Sequence, residues 1–385
     1  MSKQNTDLRA MVGKTVALVN LDGRNRKNER RLHGEGWMGK DEVTPSKEAD
    51  HSLLKTRNRE VWPEKVSTYY NLPLIKKAHW GWEIYIYFYL GGIAGGSYLV
   101  ATLADLFGLR RAGELIRTGR YLSLICIVLS PILLVKDLGR PLRFHHMLRI
   151  LKFRSAMSLG TWGLTTFGML CGITAAYQMA QDGLLSWFPL MARLMKALPV
   201  KAIEAVGAIF GLFVASYTGV LLSSTAVPIW ARAKHVLAPL FLSSAFSTGL
   251  ASLSLLLSFR GKEQQEVLER LENAEIVAMT SELSLLASLP RILGPLGEPL
   301  FKGQAGTLFK VGTIGGGVIL PLLARLGWKF MRRSTPRTMN IWLSSMVLIG
   351  GLILRYEWIM AGRASADDPK AIHYYNDLEW KEKSR

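Results

Sequence analysis

Eight separate apolar runs, each near the ~20 residues that a membrane-spanning helix needs, constrain this 385-residue chain more than any other feature. Only helices and closed barrels satisfy their backbone N–H and C=O groups within hydrocarbon, and runs of this length are helical. They cover residues 82–104, 121–135 extended to 138, 156–179, 202–229, 236–259, 267–289, 308–326 and 341–361. The expected fold is all-α: a polytopic membrane helical bundle of about eight transmembrane helices over residues 79–362. A polar, basic N-terminal arm over 1–78, expected to bind a partner or stay partly disordered, precedes it, and a polar tail over 363–385 follows. The sixth run is interrupted by Glu269, Glu272, Glu275 and Glu282. As an amphipathic surface helix instead, it would leave seven spans and put the two ends of the chain on opposite sides.

The formal charge of +19 could point to nucleic acid, but Lys and Arg sit between apolar runs and in the arm, where loops meet lipid head groups. No aromatic-and-basic groove motif accompanies them, so no nucleic-acid partner is expected. The two cysteines, Cys126 and Cys171, lie singly inside apolar runs; an iron–sulfur cluster needs four thiolates, so any cluster belongs to another subunit. No cleavable signal peptide opens the sequence.

With eight spans, the starts of the odd runs and the ends of the even runs share one side, here the near side. All seven histidines fall there: His33, His51, His79, His145, His146, His235 and His373. Haem in a membrane bundle is held by His pairs deep in facing helices, so no haem and no metal site are expected in this chain. Basic residues are plentiful on both sides, with Arg140, Arg143, Arg149, Lys152 and Arg154 near and Arg110, Arg111, Arg117, Arg120, Arg325, Lys329, Arg332 and Arg333 far. The positive-inside rule therefore does not choose between the two orientations. A long basic arm without a signal peptide is awkward to export, which favours a cytoplasmic near side in a bacterial inner membrane.

The densest candidate for chemistry follows the second run: Val135-Lys136-Asp137-Leu138-Gly139-Arg140-Pro141, with His145 and His146 beyond. Fifteen apolar residues from Tyr121 rise only ~22 Å against roughly 30 Å of hydrocarbon, which would leave Asp137 at membrane depth, held by Arg140 or Lys136. Ionisable groups there face protein, a cavity or a bound partner; the bland alternative is a snorkelling loop that ends a span. The first run opens with His79-Trp80-Gly81-Trp82-Glu83. The tryptophans fit an interfacial belt, but Glu83, one turn inside, needs a partner, and His79 four residues earlier shares its face. Gly91-Gly92-Ile93-Ala94-Gly95-Gly96 lies mid-span with no strand before it, so it reads as helix packing and not as a dinucleotide loop. Tyr217-Thr218-Gly219 places a phenol in the near half of the fourth run, either lining a pocket or linking helices. Arg355 in the eighth run needs a counter-charge, and Glu282 lies at comparable depth; Asp105 and Glu204 sit at far-side span ends, where solvated acids are unremarkable.

Taken together, Trp80-Gly81-Trp82 leading to Tyr85 and the Gly91–Gly96 cluster, Asp137-Leu138-Gly139-Arg140-Pro141, Tyr217-Thr218-Gly219 and Arg355-Tyr356 resemble the polysulfide-reductase membrane-subunit family, also called NrfD-like. The resemblance runs from about Lys77 to Gly362. It implies a haem-free subunit that exchanges electrons between membrane quinone, menaquinone or ubiquinone, and an iron–sulfur ferredoxin-like subunit, with a molybdenum catalytic subunit or multihaem cytochrome beyond. Carried over by position, it implies Asp137 and Tyr217 as catalytic residues. His79 or Glu83, with Trp82, Lys136, Arg140 and His145, would complete the quinone pocket. Two readings compete: the same subunit also moves protons, through Glu282, Arg355, Glu204 and Asp105, or it is a passive anchor or transporter-like bundle.

Overall fold

A computed structural model describes residues 74–76, 80–109, 111–260, 265–331 and 335–383. The arm as far as residue 73, and His79, lie outside the described residues. Eight long helices form the body: α1 Trp82–Leu106, α2 Gly113–Asp137, α3 Ala156–Gln181, α4 Val200–Ser223, α5 Lys234–Ser258, α6 Gln265–Leu293, α7 Gly303–Phe330 and α8 Arg337–Asp367. A final helix, α9, covers Pro369–Lys383. Seven of the eight are long and apolar enough to cross a membrane. The exception, α3, carries no charged residue in its 26 positions, but its glycines and threonines dilute its apolar content. The sixth run is a span: Glu275 and Glu282 turn inward, each no more than 2% exposed, while Glu269 faces outward.

The second span differs from the sequence expectation. It begins at Gly113, eight residues ahead of Tyr121, and its 25 residues rise ~37 Å, enough to cross completely. Arg117 and Arg120, expected in a solvated loop, are helical. Arg120 is tolerated inside because acidic and amide side chains from three neighbouring helices surround it. Asp137 is accordingly the last residue of a full-length span and not a charge stranded at depth.

Consecutive helices run antiparallel, and α1, α4 and α5 form the centre. Glycine sets how closely they approach. A Cβ on Gly96 would collide with the Ala245 carbonyl of α5, and one on Gly95 would lie 2.5 Å from the Gly211 carbonyl oxygen of α4. The Gly91–Gly96 cluster therefore serves two helix contacts at once, as small residues do where lipid supplies no hydrophobic drive. Gly92 has a further role: a Cβ there would come within 2.9 Å of the Arg355 guanidinium, so glycine makes room for a buried cation.

Two features have no counterpart in the sequence expectations. In α7, Phe309–Ile319 is π-helical, and this wider stretch brings Gly317 onto Gly350 of α8. On the near side Trp80 stacks on Trp230 at 5.2 Å, Trp230 Nε1 donates to the Trp358 carbonyl, and Arg363 donates to the Trp80 carbonyl. These contacts fasten the entry of α1 to the exit of α8. The outer faces are apolar; Ile125, Val128, Leu129 and Ile132 of α2 are among the side chains exposed there, as a hydrocarbon surround requires.

Candidate functional site

At the near end, the start of α1 and the end of α2 meet. The Gly81 N–H donates to Asp137 Oδ1 at 3.3 Å, and the Lys136 ammonium lies 3.4 Å from Glu83 Oε1 and 4.4 Å from the Trp82 ring centroid. The antiparallel pairing dictates this: Gly81 opposes Asp137 and Glu83 opposes Lys136, so two short sequence segments become one patch. Trp82 is half exposed, presenting an aromatic face at the bundle surface. Neither Arg140 nor Lys136 holds Asp137, contrary to the expectation from sequence. Lys136 pairs with Glu83, and a backbone N–H holds one Asp137 oxygen.

The other expected members stand apart. Arg140 is exposed, directly before the 3₁₀ helix Pro141–Leu148. His145 is exposed on that helix, its ring edge-on to Phe144 and His146. Tyr217 is 6% exposed, but its hydroxyl donates to the Ala156 carbonyl at 2.6 Å, and Gly160 leaves space for its ring. It stacks on Phe213. The phenol thus links α3 to α4.

The four residues expected on a proton path divide between two clusters. Asp105 and Glu204 are not solvated acids: Arg120 Nη2 reaches Asp105 Oδ2 and Arg120 Nε reaches Glu204 Oε1, each at 2.6 Å, with Glu204 1% exposed. Arg120 Nη1 also donates to Gln178 at 2.6 Å, so one guanidinium ties four helices together. Beside it, at the end of α3, burial pushes the Asp182 carboxyl up. Hydrogen bonds from Tyr121 and Gln178 and the Arg117 charge outweigh that push and hold it below the usual carboxylate range.

Glu282 and Arg355 form the second cluster. Arg355 Nη1 donates to Ser244 Oγ at 2.9 Å and to the Gly351 carbonyl at 2.7 Å. Glu282 is 2% exposed and close enough to Arg355 to feel its charge, but no direct ion pair joins the two, so the expected counter-charge is not a contact partner. A third cluster lies outside the sequence expectations. Arg325, counted among the far-side basic residues at the end of the seventh run, is 1% exposed and ion-paired with Glu275, which accepts from Ser254; Arg325 Nη1 donates to Asn340 at 3.0 Å. A signal for it exists, since Glu275 and Glu282 are seven apart in an apolar run and share a face. Ser244, Ser247, Thr248, Ser254 and Ser258 of α5 are all buried, and they run from the second cluster to the third.

A polytopic bundle with a carboxylate, a lysine and an open aromatic face at one membrane surface, and no group of metal-ligating side chains among the described residues, defines a membrane-embedded subunit with a surface-facing polar site. The family model for polysulphide reductase, NrfD, matches residues 73–365, and this protein belongs to that family. It is an integral membrane protein of a family of oxidoreductase membrane subunits. It is 26% identical over 305 residues to protein NrfD of Escherichia coli, covering 74% of this sequence and 95% of that one. It is 25% identical over 305 residues to a polysulfide reductase subunit of Wolinella succinogenes, covering 74% and 94%. A protein NrfD homolog of Haemophilus influenzae is 26% identical over 309 residues, covering 74% and 94%.

Proposed function

We propose that this protein is the quinone-reactive subunit of a multi-subunit respiratory oxidoreductase, exchanging electrons between membrane quinone or quinol and an iron–sulfur partner docked on the near side. The observation that carries this reading is the convergence of Trp82, Glu83, Lys136 and Asp137 at one end of the bundle. Quinone reduction takes up two electrons and two protons per headgroup, so a site needs a positioned acid or base, a donor and an aromatic or apolar wall. The residues fit. Asp137 is the group that takes or releases a proton, Lys136 supplies a cation steadied by Glu83, and Trp82 supplies a ring face to lipid. Arg140 and His145, exposed at and after the end of α2, stand outside this patch and enter the proposal only as flanking near-side groups. Tyr217 enters as a positioning residue: its proton is committed to the Ala156 carbonyl, which ties α4 to α3.

A photoreactive quinone analogue tests the reading. Illuminated with the intact complex, it is expected to label the peptides carrying Trp82–Glu83 and Lys136–Asp137, and excess quinone is expected to prevent labelling. Labelling confined to other helices removes the proposal. So does a complex that reduces soluble acceptors at full rate yet neither binds quinone nor oxidises quinol, which would make the bundle a passive anchor.

A second reading, transmembrane proton movement coupled to that redox step, is favoured by the hydroxyl stripe of α5. From Ser244 to Ser258 it descends ~21 Å, flanked by Arg355 and Glu282 at one end and by Glu275 and Arg325 at the other. The Arg120 cluster, in which Asp105 and Glu204 are locked by one guanidinium, is the less mobile route. In proteoliposomes, Glu282→Gln is expected to lower protons moved per electron while leaving quinol oxidation nearly intact. An unchanged ratio, or none above the protons released by the quinol itself, removes this reading.

A further inference from the structure

The far-side half of the bundle contains a cleft of about 630 Å³ between α1, α2, α5 and α6. It lies at the opposite end from the patch of Asp137 and Glu83. Its walls are apolar, with Leu103, Phe107, Leu115, Phe246, Leu250 and Leu271 among them. Along α6 the lining extends from Val267 to Ser281, a length of ~21 Å at the helical rise. The cleft is thus a slot running with the membrane normal. Leu103, Phe107 and Val277 are each more than 40% exposed, so it opens sideways, where hydrocarbon lies.

Its few polar residues are instructive. Ser243 Oγ already donates to the Pro239 carbonyl and Ser281 Oγ to the Val277 carbonyl, so the inner part of the slot offers no donor to a ligand. The remaining polar lining residue is Arg270, at the far-side end. It shares Glu266 with Arg111, at 2.8 and 3.4 Å. Nearby, Arg260 and Arg117 both reach Glu114, and Arg117 also holds Asp182. At the mouth of the slot two guanidinium groups, Arg270 and Arg111, thus share one carboxylate, Glu266, which leaves cationic donors over an apolar slot.

We propose that this cleft binds an anionic phospholipid, with an acyl tail along α6 and its phosphate at Arg270 and Arg111. A guanidinium presents forked donors to phosphate oxygens, and basic residues at the membrane surface attract anionic head groups. The slot does not suit a quinone head, whose carbonyls would find no free donor inside it. A zwitterionic lipid would gain the acyl contacts but place its own cation against the arginines.

The full-length protein, purified in detergent and stripped of lipid, is titrated with dioleoyl phosphatidylglycerol, with phosphatidylcholine of the same acyl composition and with glycerol phosphate, and bound molecules are counted by native mass spectrometry. Phosphatidylglycerol is expected to bind at least about tenfold more tightly than phosphatidylcholine, a single charge-assisted contact being enough for that margin; glycerol phosphate alone is expected not to bind. Arg270→Gln should abolish the preference. Ala274→Phe, placed on an exposed lining position, should fill the slot and remove binding of both lipids. Equal binding of the two lipids, or a preference that survives Arg270→Gln, overturns the proposal. Displacement of the bound lipid by quinone would do the same by assigning the slot to a different ligand. Arg270 is a surface residue, so its variant keeps the test decisive if Ala274→Phe fails to assemble.

Discussion

Asp137→Asn is expected to lower quinol-linked electron transfer by about 10²- to 10⁴-fold, the range contributed by a positioned acid or base, while electron transfer from the assembled complex to soluble acceptors stays at the parental rate. The substitution keeps the shape and an acceptor for the Gly81 N–H, now 3.3 Å from Asp137 Oδ1, so α1 and α2 should still meet. What it removes is the exchangeable proton. Tyr217→Phe makes a useful companion: its hydroxyl bonds Ala156 at 2.6 Å, so its loss should cost stability of the α3–α4 contact and only a few-fold in turnover. Steady-state quinol oxidation set beside soluble-acceptor reduction on the same preparation separates the two. Full quinol-linked activity in Asp137→Asn would leave Asp137 with no part in proton exchange.

The second large effect is structural. Arg120→Met strands Glu204, 1% exposed, with a buried charge and no cation. Breaking a buried pair in this way costs about 3–5 kcal/mol, and Asp105 and Gln178 lose the same partner. Adding Glu204→Gln is expected to restore much of that loss, since a neutral amide carries no stranded charge. Thermal unfolding in detergent or nanodiscs, followed for single and double variants, reads this directly. A double variant no more stable than Arg120→Met would mean that the arginine acts through its packing and not through its charge.

Much of the architecture is legible in the sequence because hydrocarbon imposes one simple demand, a long apolar helix, and the eight runs meet it. The boundaries are less so wherever a charge is neutralised by a distant part of the chain. Arg120 looks like a loop residue because Asp105, Glu204 and Gln178 are 15, 84 and 58 positions away. Arg325 misleads for the same reason: its partner Glu275 lies on another helix. The Asp137 patch is half visible. Antiparallel neighbours joined by a short loop must bring Gly81–Glu83 to Lys136–Asp137, so the meeting can be anticipated, but which of Lys136 and Arg140 faces which acid depends on helix rotation. The π-helical stretch leaves no trace beyond glycines, which serve equally well in ordinary helix contacts.

That stretch has an angular consequence. A regular helix advances by ~100° per residue, so the wider turns between Phe309 and Ile319 fix the azimuth of everything after them on α7. Removing one residue and letting the segment relax to ordinary winding would swing Arg325 by about a quarter of a revolution, out of the wedge it shares with Glu275 and Asn340. The irregular winding of the first half of α7 thus works as a phase adjuster for a cation buried in its second half.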